Sequence, residues 1–167
     1  MRKLVLILMV MPIFVVGQNC PTGNERIETI NDDLEKEILR LTNLERKKKG
    51  LNPLEWDDAL GYAARYHAKD MAEKNYFDHD SYDRDGDNLK KSCGIFERME
   101  KFASYPSMAE NIYAGPISAE VVVKGWMESP GHRKNILNAK TSKLGVGYYF
   151  SEDAEYRNYW VQNFASD

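Results

Sequence analysis

His132 follows Pro130 and Gly131 directly, inside the stretch GWMESPGHRKNIL that runs from Gly125 to Leu137. The Pro-Gly pair ends one helix and turns the chain, so this imidazole stands at a corner and faces a cleft rather than a core. Its expected companions come from distant parts of the chain. His79 ends the run Tyr76 to His79 (YFDH), past a helix exit and at the edge of a layer. Glu110 lies among Met108, Ala109 and Ile112, an apolar setting in which a buried carboxylate needs a partner, and a histidine is the natural one. Glu128, two positions after Trp126, is a fourth candidate. Neutral imidazoles with one or two carboxylates are ligands for zinc or another divalent cation. The same groups could also serve acid–base catalysis or a metal-activated water, as in a metal-assisted hydrolase of peptide or cell-wall bonds. No HExxH or nucleophile elbow supports catalysis, neither cysteine adjoins a histidine, and Ser129 reads as a helix-terminal or turn residue. Whether the chain is an enzyme therefore stays open.

The elements that position these residues can be read from periodicity. Leu34, Ile38, Leu41 and Leu44 recur at helical spacing, with Asn31 or Thr29 to cap the start and Gly50 to mark the end. The Lys47 to Lys49 cluster complements that helix end. A second helix runs from Asp57 or Asp58 to about Lys74, with Leu60, Ala63, Ala64, His67, Ala68 and Met71 inward. On that apolar stripe His67 reads as a core histidine with one satisfied hydrogen bond, outside the site. A third helix runs from about Leu89 or Phe96 to Phe102, and a fourth from Ser118 to Glu128. Leu144 to Phe150 and Tyr159 to Phe164 read as two strands joined by a charged hairpin loop, with further strand around Asn111 to Tyr113. The pattern is α+β or a three-layer α/β/α arrangement.

The stretch from Phe77 to Asn88 contains five Asp residues and invites a calcium reading. With Gly86 at the sixth position of an EF-hand loop, Ser81 falls first and Ser92 twelfth, where Asp and Glu belong. The motif fails, and the stretch reads as a polar loop with a solvated turn around Asp85-Gly86.

Net charge of −3 and a pI near 5.7 give no sign of a nucleic-acid surface. Arg2 and Lys3 precede an apolar run from Leu4 to Val16, with Gly17 after it, which is the form of a secretory leader over residues 1–17. The run falls short of the ~20 residues of a transmembrane helix. Residues 18–30 then read as a linker and 31–167 as one domain in a secreted, periplasmic or extracellular protein. Gln18-Asn19 before Cys20 departs from the small residues that precede a lipidated cysteine. An exported chain permits a bridge between Cys20 and Cys93, and equally two free thiols.

Taken in order, YFDH, AENI, GWMESPGHRKNIL and the pair LGVGYYF with YWVQNF resemble the CAP superfamily of cysteine-rich secretory, antigen 5 and pathogenesis-related 1 proteins, in particular its short bacterial SCP-domain members. LTNLERKKKGLNPLEWDDAL resembles their opening, and the likeness spans about Leu34 to Ala165. It implies an α-β-α sandwich with a central cleft where two His and two Glu can hold a divalent metal, often zinc. His79, Glu110 and His132 match the first three positions. The second glutamate of animal and plant members falls at Ser129, so Glu128 is displaced by one position, about 100° of helical rotation. Lys90 to Ile95, containing Cys93, is extra against the bacterial pattern and decorates the cleft rim. The implied partners are a small ligand or an envelope component, with peripheral membrane contact or a lipid- or sterol-binding role as the alternative. The Tyr148, Tyr149, Tyr156 and Tyr159 cluster is the candidate surface for the latter, although strand alternation makes two of them core or edge residues.

Overall fold

A computed structural model describes residues 20–115 and 117–167. The leader reading falls outside these residues. The first helix, α1 (Asp32–Lys47), is capped by Asn31, whose side chain accepts from Leu34 N–H, and acidic residues fill its first turn. A two-residue strand β1 (Glu55–Trp56) leads into α2 (Asp58–Glu73), capped by Asp57 through Leu60 N–H. After it come β2 (Ser81–Asp85), β3 (Asn88–Cys93) and α3 (Ile95–Phe102). Next are β4 (Ser107–Ala114), α4 (Ala119–Glu128), α5 (Pro130–Ile136), β5 (Lys143–Phe150) and β6 (Asn158–Ser166).

The main sheet has the order β1-β5-β6-β4, with β1 parallel to β5 and the other pairs antiparallel. Alternation along its strands builds two cores. Leu144, Val146, Tyr148, Trp160 and Phe164 pack with Ile38, Val122, Trp126 and Ile136 from α1, α4 and α5. Tyr159, Val161 and Ile112 pack on the opposite face with Ala64, Ala68 and Met71 of α2. This is the expected three-layer α-β-α sandwich. Gly145 and Gly147 allow α2 to approach closely. A Cβ on Gly145 would lie 2.1 Å from Gly61 N, and one on Gly147 would lie 2.3 Å from Ala64 C. The small residues on the α2 stripe serve the same approach.

The polar loop expected over residues 77–88 is corrected in part, because residues 81–93 form an antiparallel hairpin. Its sequence hid it: both faces are largely solvated, so the apolar alternation that marks a strand is missing. The turn itself lies where expected, with Gly86 at φ +57° between the paired Asp85 and Asn88. The question left open at the cysteines is answered by a Cys20–Cys93 disulfide, which joins the start of the described chain to the end of the hairpin. The segment read as a linker is tied down there, and Arg26 stacks 4.9 Å over the Tyr62 ring of α2.

Candidate functional site

The site begins at β4, an edge strand of the main sheet. Ile112 shares the α2 core, while the neighbouring Asn111 makes its contacts in the other layer. By the same alternation Glu110 joins the α2 side, where it is fully buried. Its Oε1 accepts from His79 Nδ1 at 3.0 Å, and its Oε2 accepts from Arg98 at 2.6 Å. Asn163 of β6, with its amide oriented so that both ends are satisfied, donates to the same Oε2 at 3.1 Å and accepts from Ala64 N–H at 3.1 Å. Arg98, from α3, also donates to His79 O (2.9 Å) and Ser81 Oγ (3.1 Å). One buried guanidinium thus holds both the carboxylate and the backbone of the histidine that the carboxylate orients.

His132 arrives from the opposite layer. Asn111 Nδ2 donates to His132 O at 3.2 Å and to Gln162 Oε1 at 3.1 Å, and Gln162 Nε2 donates to Thr42 Oγ1 of α1 at 2.8 Å. Asn135, on the same short helix as His132, donates to Asn111 Oδ1 (2.9 Å) and to Glu110 O (3.2 Å). Trp126 Nε1 donates to Ile112 O at 3.0 Å. Two carbonyls of the edge strand are therefore capped by side chains of the GWMESPGHRKNIL stretch, and this fixes the corner on which His132 sits. The result brings the His79 and His132 rings to 6.5 Å between centroids, tilted by 57°. His79 is 45% exposed at its side chain, and His132 is half-buried.

The electrostatics divide the three histidines. The hydrogen bond from His79 to Glu110 holds its pKa above the usual imidazole value against the opposing effect of burial. Burial, then the neighbouring His79 charge, pushes His132 below that value. Burial would raise Glu110, but Arg98 and the histidines outweigh it and the carboxyl titrates lower than usual. His67, fully buried, is pushed down to about 3, by burial first and Arg98 second. Its Nε2 hydrogen-bonds Asp78 O at 2.9 Å and lies 3.9 Å from Glu110 Oε1. The core reading of His67 holds: it is fully buried with one hydrogen bond, to Asp78 O.

The sequence candidates thus separate. His79, Glu110 and His132 come together. Glu128 does not join them: its side chain is 69% exposed and pairs with Lys124 one helical turn earlier. Its displacement by one position from Ser129 accounts for this direction. Arg98, Gln162 and Asn163 escaped the sequence reading. The signal for the last two was two consecutive amides inside an apolar strand. Gln162 bonds Thr42 and Asn111 in the α1 and α5 layer, while Asn163 bonds Glu110 and Ala64 in the α2 layer. Of the four tyrosines, Tyr148 and Tyr159 are core residues as strand alternation requires, Tyr149 stands opposite Tyr159 in the sheet, and exposed Tyr156 packs its ring 6.1 Å from that of Tyr159.

Helices on both faces of a mixed sheet, with two imidazoles and a buried carboxylate meeting at its edge strand, define a three-layer sandwich that a family model identifies. The model described as CAP, cysteine-rich secretory protein family, matches residues 39–164, and the chain belongs to that family. It is 46% identical over 132 residues to the uncharacterized protein YkwD of Bacillus subtilis, covering 78% of this chain and 46% of that protein. It resembles the crystal structure of an extracellular SCP-domain protein of Bacillus anthracis at 32% identity and TM-score 0.69, covering 83% of this chain and 42% of that one. An outer surface protein of Borrelia burgdorferi shares the fold at TM-score 0.69 and 24% identity, covering 86% of this chain and 98% of that one. The chain thus spans under half the length of the Bacillus subtilis relative it matches. No helix among the described residues is long and apolar enough to cross a membrane.

Proposed function

We propose that this CAP domain acts outside the cell and holds a divalent cation, zinc by the nature of its donors, between the imidazoles of His79 and His132. The observation that carries this reading is the His79–Glu110 hydrogen bond. It occupies Nδ1 and leaves Nε2 as the metal-binding nitrogen, in the manner of a carboxylate that orients a ligating histidine. Both oxygens of Glu110 already accept hydrogen bonds, from His79, Arg98 and Asn163, which on this reading makes it the group that orients a ligand. Imidazole donors favour zinc over calcium or magnesium. Among the described residues, the three-ligand grouping already within 4.8 Å of one another is Cys20, Cys93 and Glu97, whose sulfurs are joined to each other. The proposed site thus has two imidazole donors, and the His79 side chain is 45% exposed to solvent. A cation held there would acidify bound water or accept an anionic group of a small ligand.

Two comparisons support the reading. The protein from Bacillus anthracis is extracellular, which agrees with an exported address for this chain. A structure of NaASP2 with Zn2+ shares the fold at TM-score 0.55 and 13% identity, covering 83% of this chain and 82% of that one.

The test is calorimetric titration of zinc into the chain from Cys20 onward, beside a His79→Ala/His132→Ala variant of unchanged fold. About one ion should bind, with a Kd on the order of micromolar, weaker than the ~10–16 kcal/mol of four-ligand structural zinc sites. Binding should be lost in the variant. Equal binding by both proteins, or none by the parent, would remove the cation and leave the imidazoles as hydrogen-bonding groups.

A further inference from the structure

From residue 129 to 151 the chain contains Arg133, Lys134, Lys140 and Lys143 and no Asp or Glu, although the whole protein carries a net charge of −3. The fold gathers three of these cations around one open groove of about 660 Å³ on the outer side of α5 and the loop after it, with Pro130 and Leu137 contributing apolar wall. Arg133, Lys134 and Lys140 are exposed, and none has an ion-pair partner among the described residues. Lys143 is neutralised by Glu55 at 2.8 Å. A further positive charge lies behind the loop. Arg46 is 1% exposed, and its guanidinium donates to Asn52 O, Ile136 O, Asn138 O and Thr141 O at 2.8 to 3.1 Å, with carbonyls where a carboxylate would neutralise it. Of the acids bordering this stretch in sequence or space, Glu128 pairs with Lys124, while Asp167 accepts from Ser142 Oγ beside Lys143 and makes no ion pair with Arg133, Lys134 or Lys140.

We infer that this groove is a binding surface for an anionic phosphodiester polymer of the cell envelope. Three unpaired cations around one groove complement an anionic chain that carries a charge on every unit, each contact adding a salt-sensitive increment. A concave groove receives a chain better than it docks on a planar lipid surface, and its apolar wall suits the carbon backbone between phosphates. The surface is distinct from the two imidazoles, so its binding needs no metal and persists in a chelator.

The probe is a synthetic poly(glycerol phosphate) of about ten units, titrated against the chain from Cys20 onward with EDTA present and at several salt concentrations. Replacing Arg133, Lys134 and Lys140 together by Ala should weaken binding at least tenfold and reduce the log–log salt slope by about two to three. A control variant with Lys47, Lys48 and Lys49 replaced by Ala removes the same charge from another exposed site and should lose less than twofold. Equal losses in the two variants would reduce the effect to net charge and overturn the assignment. Absence of binding by the parent, or tighter binding to phosphatidylglycerol vesicles or to a DNA oligomer of equal charge, would overturn it as well.

Discussion

Glu110 is the residue on which both halves of the cleft depend. Its carboxylate neutralises buried Arg98 and orients His79, while its backbone carbonyl receives Asn135. Glu110→Gln leaves the guanidinium without its counter-charge, and breaking a buried pair in this way costs about 3–5 kcal/mol. Urea unfolding of the variant should show a loss of that size; a loss below about 1 kcal/mol would contradict this role. The variant should also lower the His79 titration midpoint, read by NMR of the ring protons. The pH dependence follows from the signs. His79 is raised in the folded state, so its contribution is complete below the ordinary value of 6.5 and is lost as pH rises through the folded midpoint. Glu110 is lowered, so its contribution is complete above 4.5 and is lost as pH falls through its folded midpoint. The pair therefore stabilises the fold most fully between about pH 4.5 and 6.5. Metal binding has the opposite preference, because a proton on His79 competes with the ion. Zinc affinity should rise as pH is taken through a His79 midpoint above 6.5, with His132 already neutral there. A rise centred well below 6.5 would detach the metal from His79.

At the scale of elements, the layers are set by close approach on one face and by side-chain caps at the sheet edge. Gly145→Ala or Gly147→Ala forces a Cβ into α2 backbone, and should cost about 3 kcal/mol or more, at the upper end of overpacking effects. Gly131→Ala, where the added carbon meets open space, should stay within about 0.5 kcal/mol. Thermal melts of the three variants check this, and similar losses in all would refute close packing as the reason. Trp126→Phe keeps most of the buried ring but leaves Ile112 O without its donor, a loss of about 1–3 kcal/mol by the same measurement. The sequence legibility of these elements follows their physics. α1, α2 and α4 bury one stripe each, so their apolar periodicity was plain, and Asn31 and Asp57 cap the first two as expected. β5 showed itself as an apolar run around two glycines, and β6 as an aromatic and apolar run without any. The β2–β3 hairpin did not, because a solvated ribbon presents no apolar face to read. In the cleft, the corner at Pro130-Gly131 marked His132, and the apolar setting of Glu110 marked a paired carboxylate. Arg98 carried no such mark. A buried arginine can be recognised only once the carboxylate it neutralises is known to lie opposite.

Across the whole molecule, the Cys20–Cys93 disulfide closes a separation of 73 residues and fastens the first described segment to the hairpin beside the cleft. Chain-entropy reasoning assigns a bridge of this span about 4 kcal/mol. Cys20→Ser/Cys93→Ser should lower stability toward that amount and make the chain before α1 the first site of limited proteolysis, followed by mass spectrometry. Unchanged stability with a resistant amino-terminal segment would show that packing against α2, through contacts such as Arg26 over Tyr62, suffices alone. Zinc binding should survive in this variant, since His79 is held by Glu110 and Arg98 rather than by the disulfide. The molecule thus separates a stabilising tie at the amino terminus from a cleft built between layers.

The most direct test of the two-imidazole cleft is an NMR titration with zinc that follows the ring nitrogens of all three histidines. If both imidazoles hold the ion, His79 Nε2 and one ring nitrogen of His132 shift together and saturate at about one equivalent, while buried His67 stays unchanged. A shift of either cleft histidine without the other, or saturation at His67, would contradict it.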